Sequence, residues 1–155
     1  MDAIKQAIVD LESKLNIELK SEQKHGIESL YLGEDALIIL PTGFGKSLIY
    51  SLAPKAVDIC SGSSGSIMLV ISPLISLMID QVTRCEDYGI SAAFIGSAQT
   101  DHRVAQRVRD GEYQVLFSSP EAILSRSWRK VLTSDVYQNK LIGIAIDEAH
   151  CVDLW

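Results

Sequence analysis

A glycine-containing run that ends in lysine and serine is the clearest chemical signal in this sequence. The run consists of Thr42, Gly43, Phe44, Gly45, Lys46 and Ser47. The glycines allow backbone amides to turn toward one point, and a helix that starts at Lys46 offers unpaired N–H groups to an anion. A lysine that reaches the outer phosphates and a serine that binds magnesium complete a phosphate-binding loop. The strict form of this pattern has glycine where this chain has Leu40. A flexible strand-to-helix turn with an incidental lysine is therefore the alternative.

A second chemical signal is the acidic pair Asp147 and Glu148, which follows the apolar run 141–146. Hydrolysis of a nucleoside triphosphate needs magnesium, a carboxylate that holds the metal and a group that activates water. Ser47 and Asp147 are suited to the metal, Asp147 through a metal-bound water, and Glu148 is suited to align and deprotonate the attacking water. His150 is suited to relay the state of the phosphate. The alternative is that the two acids cap a helix. The presence of both motifs, each after an apolar run, favours the catalytic interpretation.

Apolar runs that alternate with helical patterns predict how these residues are positioned. Strands are expected at 36–40, 67–71, 91–95, 113–117 and 141–146. Strands separated by helices predict an α/β fold with a mainly parallel sheet, helices on both faces and ligands at the carboxyl ends of the strands. At 155 residues the chain has the size of one domain, 1–155. The pattern does not determine the order of the strands.

The spacing of apolar residues predicts the local structure of several segments. Ile4, Ile8, Leu11 and Leu15 form one stripe of a helix, which packs on its own domain or, alternatively, binds a partner. The uninterrupted run 36–40 predicts a strand buried on both faces. A helix over 74–88 is expected to bury Leu74, Leu77, Met78, Ile79 and Val82. A single helix is expected over 122–132, and a loop over 134–140.

Composition excludes some classes of protein. The net charge of −6 disfavours a protein whose main role is nonspecific electrostatic capture of nucleic acid. No apolar run is long enough for a membrane span, and no secretory signal is visible. The cysteines Cys60, Cys85 and Cys151 lack the spacing of metal ligands. We therefore expect an intracellular protein with no membrane partner.

Several segments of the sequence resemble those of a known protein family. The run 42–47 together with Asp147, Glu148, Ala149 and His150 resembles the superfamily-2 helicases. The segment 72–81, Ser-Pro-Leu-Ile-Ser-Leu-Met-Ile-Asp-Gln, the triplet 119–121, Ser-Pro-Glu, and the pair Cys151 and Val152 are similar to the RecQ family of DNA helicases. The resemblance spans about residues 19 to 155 and implies a RecA-like fold of the P-loop NTPases.

The resemblance also implies roles for single residues. Gln23 takes the place of a glutamine that recognises adenine, and Lys20 that of an arginine beside the base. Candidate contacts with single-stranded DNA are Ser72, Ser76, Gln81, Ser119 and Trp155. Alternatively, the serines and Gln81 only end strands or cap helices. Trp155 retains the aromatic residue of a loop that couples DNA to ATP hydrolysis, whereas Asp153 and Leu154 depart from the family.

The function that the resemblance implies is an ATP-dependent 3′-to-5′ DNA helicase that acts in repair or recombination in the nucleus. Its cofactors are ATP and Mg²⁺, and its substrates are single-stranded and partially duplex DNA. This chain corresponds to the first motor domain, and the second motor domain is expected to be absent from it. Two alternatives stay open: an RNA-directed superfamily-2 helicase, and a truncated, nonenzymatic nucleotide-binding or regulatory module.

Overall fold

The computed structural model describes residues 2–41 and 43–149. The helices are α1 Asp2–Leu15, α2 Ser21–Tyr31, α3 Lys46–Ser61, α4 Ile75–Asp87, α5 His102–Arg109, α6 Pro120–Ile123, α7 Arg126–Leu132 and α8 Asp135–Lys140. The strands are β1 Ile67–Ile71, β2 Ala92–Ile95, β3 Val115–Ser118 and β4 Leu141–Ile146. No helix in the part of the chain that the structure describes is long and apolar enough to cross a membrane.

The four strands form one parallel sheet in the order β2-β3-β1-β4. This arrangement confirms the predicted α/β class. The carboxyl ends of all four strands meet at one edge of the sheet, because every pair is parallel. Residues that follow different strands are thereby brought together at this edge.

Alternate residues of the central strands enter two separate apolar cores. From β1, Met68 and Val70 pack with α1 to α4, whereas Ile67 and Leu69 face the opposite core. That opposite core includes Val108 of α5 and Tyr137 of α8. The helices therefore cover both faces of the sheet, as predicted.

The apolar stripe of α1 belongs to the domain's own core. Ile4, Ile8 and Leu11 are buried, and Leu15 packs against the same cluster. Burial removes apolar surface from water, which stabilises the contact of α1 with α3. The intramolecular interpretation of this stripe is confirmed.

The predicted strand at 36–40 is wrong. The described backbone of this segment is not in the sheet, and Leu37 and Ile39 have exposed fractions of 80% and 83%. A strand needs a neighbour that accepts its backbone hydrogen bonds. Within the described sheet, β4 pairs with β1 alone, and its outer edge has no contact of this kind with segment 36–40.

The predicted inner face of α4 is confirmed for Met78 and Val82 and is wrong for Leu74, Leu77 and Ile79. Met78 and Cys85 are buried and Val82 is partly buried, whereas Leu74, Leu77 and Ile79 are exposed. The buried residues follow the spacing of four and three that one helical face requires. Apolar residues also occur on the outer side of α4, so composition did not identify the core face.

Two further local predictions need correction. Residues 134–140, expected to form a loop, contain helix α8. The helix expected over 122–132 is divided into α6 and α7, which are separated by Leu124 and Ser125. Ser119 caps α6 by accepting a hydrogen bond from the Ala122 amide at 3.2 Å. A second capping geometry follows at Ser125, so two short helices replace the long one.

Candidate nucleotide-binding site

The loop before α3 has the backbone geometry that its glycines predicted. Gly43 and Gly45 have φ values of +81° and +83°, in the left-handed region that residues with a Cβ atom rarely adopt. Lys46 is the first residue of α3, so its side chain and the unpaired amides of the first helical turn lie together. Thr42 lies outside the described residues. The helix dipole favours an anion at this position.

Gln23 holds this loop through its side-chain amide. Its Nε2 donates to the Gly45 carbonyl at 2.8 Å and to the Phe44 carbonyl at 3.4 Å, while its Oε1 accepts from the Lys20 amide at 2.8 Å. Only 2% of Gln23 is exposed. The adenine contact implied for Gln23 stays a prediction, and it requires the amide to exchange at least one of these partners.

Lys20 covers the same loop. Its Nζ lies 3.6 Å from the centroid of the Phe44 ring and 3.3 Å from the Phe44 carbonyl oxygen. A cation over an aromatic face is attracted by the ring quadrupole. Lys20, Gln23 and Phe44, which the sequence assigned to one nucleotide site, are therefore in direct contact.

We expect Gly45→Ala to disrupt the loop. A Cβ atom at this position would lie 2.5 Å from Gln23 Nε2 and would also impose left-handed strain. The strain costs about 1–3 kcal/mol, and displacement of Gln23 adds to that loss. Gly43→Ala is a matched control: Gly43 has a similar φ, but such a Cβ would have no atom within 4 Å from the described residues beyond its chain neighbours. Urea unfolding of both variants measures the difference. Equal losses of stability would contradict the role of the Gln23 contact.

Asp147 and Glu148 follow β4 at the carboxyl edge of the sheet. The Asp147 amide donates to the Ile71 carbonyl of β1 at 2.9 Å, which continues the ladder past β4. The Glu148 amide donates to Asp147 Oδ1 at 3.1 Å. Glu148 has a φ of +55°, and such strain in a residue with a long side chain is typical of functional sites.

Lys46 and the acidic pair line one cavity. It has a volume of about 780 Å³, and its lining includes Lys46, Tyr50, Asp147 and Glu148. Residues 33–40 and 142–146 also line it. Ser47 is half-buried and is not among the lining residues. His150 lies outside the described residues. The fold thus brings a lysine at the start of α3 and two carboxylates after β4 together from distant parts of the chain.

Tyr50 is a residue of this cavity that sequence reasoning missed. Its hydroxyl lies 3.4 Å from Asp147 Oδ2 and donates to it. Burial, together with the nearby Asp147 carboxylate, raises the pKa of Tyr50 well above its ordinary value, so the hydroxyl keeps its proton. The available signal was its spacing: Tyr50 follows Lys46 by four residues on one helix, and such residues share a face.

The candidate DNA contacts lie on several different elements of the fold. Ser72 is buried, and its hydroxyl has no hydrogen-bond partner among the described residues. Ser76 is exposed on α4, Gln81 is half-buried on the same helix, and Ser119 caps α6. Trp155 lies outside the described residues. The capping role of Ser119 is therefore present, and DNA contacts at all these positions stay predictions.

Known proteins resemble this chain over most of its length. The family model described as DEAD/DEAH box helicase matches residues 20–155. The chain is 38% identical over 136 residues to the ATP-dependent DNA helicase RecQ of Haemophilus influenzae, covering 86% of this chain and 20% of the relative. It is 36% identical over 140 residues to the ATP-dependent helicase SGS1 of Saccharomyces cerevisiae, covering 88% of this chain and 10% of the relative. The chain thus spans a fifth or less of these relatives.

A solved structure supports the fold. A hypothetical ATP-dependent RNA helicase from Sulfolobus tokodaii superposes with a TM-score of 0.63 and 19% identity, covering 99% of this chain and 43% of the other. At this identity the match concerns architecture alone. The expected helicase-type α/β fold is confirmed.

Proposed function

Because the chain belongs to the DEAD/DEAH box helicase family, we propose that it forms the nucleotide-binding motor domain of a RecQ-type, ATP-dependent DNA helicase. The observation that carries this proposal is the shared cavity. Lys46, Asp147 and Glu148 line the same space although they come from opposite ends of the sequence. A cation beside two carboxylates, at the start of a helix, suits a phosphate group that arrives with a divalent metal.

Three residues of the cavity, together with Ser47 outside its lining, have chemical roles in this proposal. Lys46 and the amides at the start of α3 neutralise the outer phosphates of ATP. Glu148 is placed to accept the proton of an attacking water, and Asp147 with Ser47 would hold the metal. Bound magnesium would neutralise charge that develops on the phosphates. The Glu148 amide donates to Asp147 Oδ1, which ties the Asp147 carboxylate to the backbone of the same loop.

The DNA path belongs to the same proposal. Ser72 and Ser119 directly follow β1 and β3, which are paired neighbours, and Ser76 lies in the first turn of α4. Uncharged donors of this type contact phosphates and sugars without requiring a positive net charge. The 3′-to-5′ polarity, the role in repair or recombination, the single-strand preference and the nuclear location rest on the family resemblance alone.

Binding measurements on the 155-residue protein test this function. We expect a fluorescent ATP analogue to bind more tightly with Mg²⁺ than with EDTA. In the presence of Mg²⁺ and ATP, a labelled single-stranded DNA is expected to bind more tightly than RNA of the same sequence. Fluorescence anisotropy at fixed salt measures both, because affinity for nucleic acid depends strongly on salt.

The outcomes separate the candidate functions. Stronger binding of RNA than of DNA would favour an RNA-directed helicase. ATP binding without binding of either nucleic acid would favour a nonenzymatic nucleotide-binding module. A folded protein that does not bind ATP would overturn the proposal.

A further inference from the structure

We propose that the Tyr50 hydroxyl is a positioning group for the Asp147 carboxylate and thereby sets the metal requirement of nucleotide binding. This inference rests on the proposed function, because it assumes that Asp147 helps to hold the metal. Tyr50 does not contact the nucleotide in this proposal. It acts through the orientation of Asp147.

The position of the Tyr50 ring is fixed by the core. Tyr50 is 6% exposed, and its ring contacts Phe117 edge to face, with centroids 6.1 Å apart and an interplanar angle of 76°. Phe117 belongs to β3, a central strand of the sheet. The ring therefore has little freedom to move, because closely packed side chains in cores occupy defined rotamers. Because the ring is held in place, the position of its hydroxyl oxygen is restricted as well.

Among the described residues, each oxygen of the Asp147 carboxylate has one hydrogen-bond partner. Oδ1 accepts from the Glu148 amide at 3.1 Å, and Oδ2 accepts from the Tyr50 hydroxyl at 3.4 Å. The first contact is local, whereas the second comes from another element of the fold. Two partners on opposite oxygens restrict rotation of the carboxylate plane. The Tyr50 contact is longer than most O–H···O hydrogen bonds, and hydrogen bonds in ligand-free sites commonly shorten on binding.

Partners that orient a metal-binding carboxylate affect metal affinity without touching the metal. Loss of the Tyr50 hydroxyl would leave Oδ2 without this donor and would let the carboxylate rotate about its side-chain bonds. Binding of the phosphates by Lys46 and the helix amides does not depend on that rotation. The contribution of Tyr50 should therefore be visible only when the metal is present.

Tyr50→Phe tests this inference, since it removes the hydroxyl and retains the ring. We expect the Mg²⁺ concentration for half-maximal binding of a fluorescent ATP analogue to rise by roughly 10-fold. Affinity for the nucleotide in EDTA should stay unchanged. Tyr137→Phe is the matched control: Tyr137 is 1% exposed, and its hydroxyl donates to the Val108 carbonyl in the opposite core. It should leave the Mg²⁺ requirement unchanged.

Asp147→Asn separates failure of the inference from failure of the proposed function. If this substitution does not change the Mg²⁺ requirement, Asp147 does not hold the metal, and the function proposed for the site is wrong. If Asp147→Asn raises the requirement while Tyr50→Phe does not, the inference alone is overturned. An equal loss of affinity in EDTA and in Mg²⁺ for Tyr50→Phe would indicate a merely structural role and would also overturn it.

A measurement on the unsubstituted protein gives an independent test. With tyrosines labelled at the ring carbon that bears the hydroxyl, NMR spectra are compared before and after Mg²⁺ is added to the nucleotide-bound protein. The Tyr50 resonance is expected to shift, and the Tyr137 resonance is expected to stay in place. A Tyr50 resonance that does not respond to the metal would contradict the inference.

Discussion

Lys46→Ala is expected to lower the affinity of this protein for ATP by about 10- to 150-fold, which corresponds to the loss of about 1.5–3 kcal/mol from charged hydrogen bonds. Lys46 begins α3 and lines the cavity that also contains Asp147 and Glu148. Its removal leaves two carboxylates beside the phosphates without the lysine charge that offsets their repulsion. The helix amides alone then bind the anion.

Titration with a fluorescent ATP analogue measures this loss. Lys130→Ala is a suitable control, because Lys130 is exposed on α7 and does not line the cavity. The control should bind ATP as the unsubstituted protein does. An unchanged affinity in Lys46→Ala would show that the loop is an ordinary turn before α3 and not a phosphate site.

Phe117→Ala is expected to produce the largest loss of stability, about 3–5 kcal/mol in the free energy of unfolding. Phe117 is 1% exposed in the centre of the sheet and supports the Tyr50 ring. Its truncation removes apolar contacts and leaves a cavity between β3 and α3. This loss is a large share of the total stability of a typical domain, about 5–15 kcal/mol, so part of the population should unfold near physiological temperature.

Urea unfolding followed by circular dichroism measures the effect. Phe94→Ala provides the comparison, since Phe94 lies opposite Phe117 on the adjacent strand β2 and is only partly buried. We expect a clearly smaller loss for Phe94→Ala, because less surface is withdrawn from water there. Similar losses in the two variants would mean that burial does not determine the contribution of these rings.

The sequence predicted those features of the fold that depend on a local pattern of residues. β1 and β4 were located from uninterrupted apolar runs. Lys46 and Asp147 do line one cavity, although no strand of the described sheet precedes Lys46. The strand order was not accessible, because it depends on pairings between distant segments. The run 36–40 has the composition of a strand, yet composition does not supply a partner for its backbone groups.

The residues of the site were likewise predicted only where a local pattern identifies them. Gly45 and Lys46 were identified from spacing alone, and their conformations agree with that interpretation. Tyr50 was missed because an aromatic residue in an apolar helix is typical of core packing, which it also performs through Phe117. Only the three-dimensional structure shows that the polar end of the same side chain reaches Asp147.

The outer edge of β4 has a consequence for how this protein behaves in solution. β4 consists of Leu-Ile-Gly-Ile-Ala-Ile, with no charge and no proline, and its edge has no strand partner within the described sheet. Soluble proteins usually protect such edges with charges, proline or a covering segment, because an open apolar edge can recruit strands of other molecules. During refolding at high concentration, intermolecular strand pairing at β4 would therefore compete with folding and limit the yield of soluble protein.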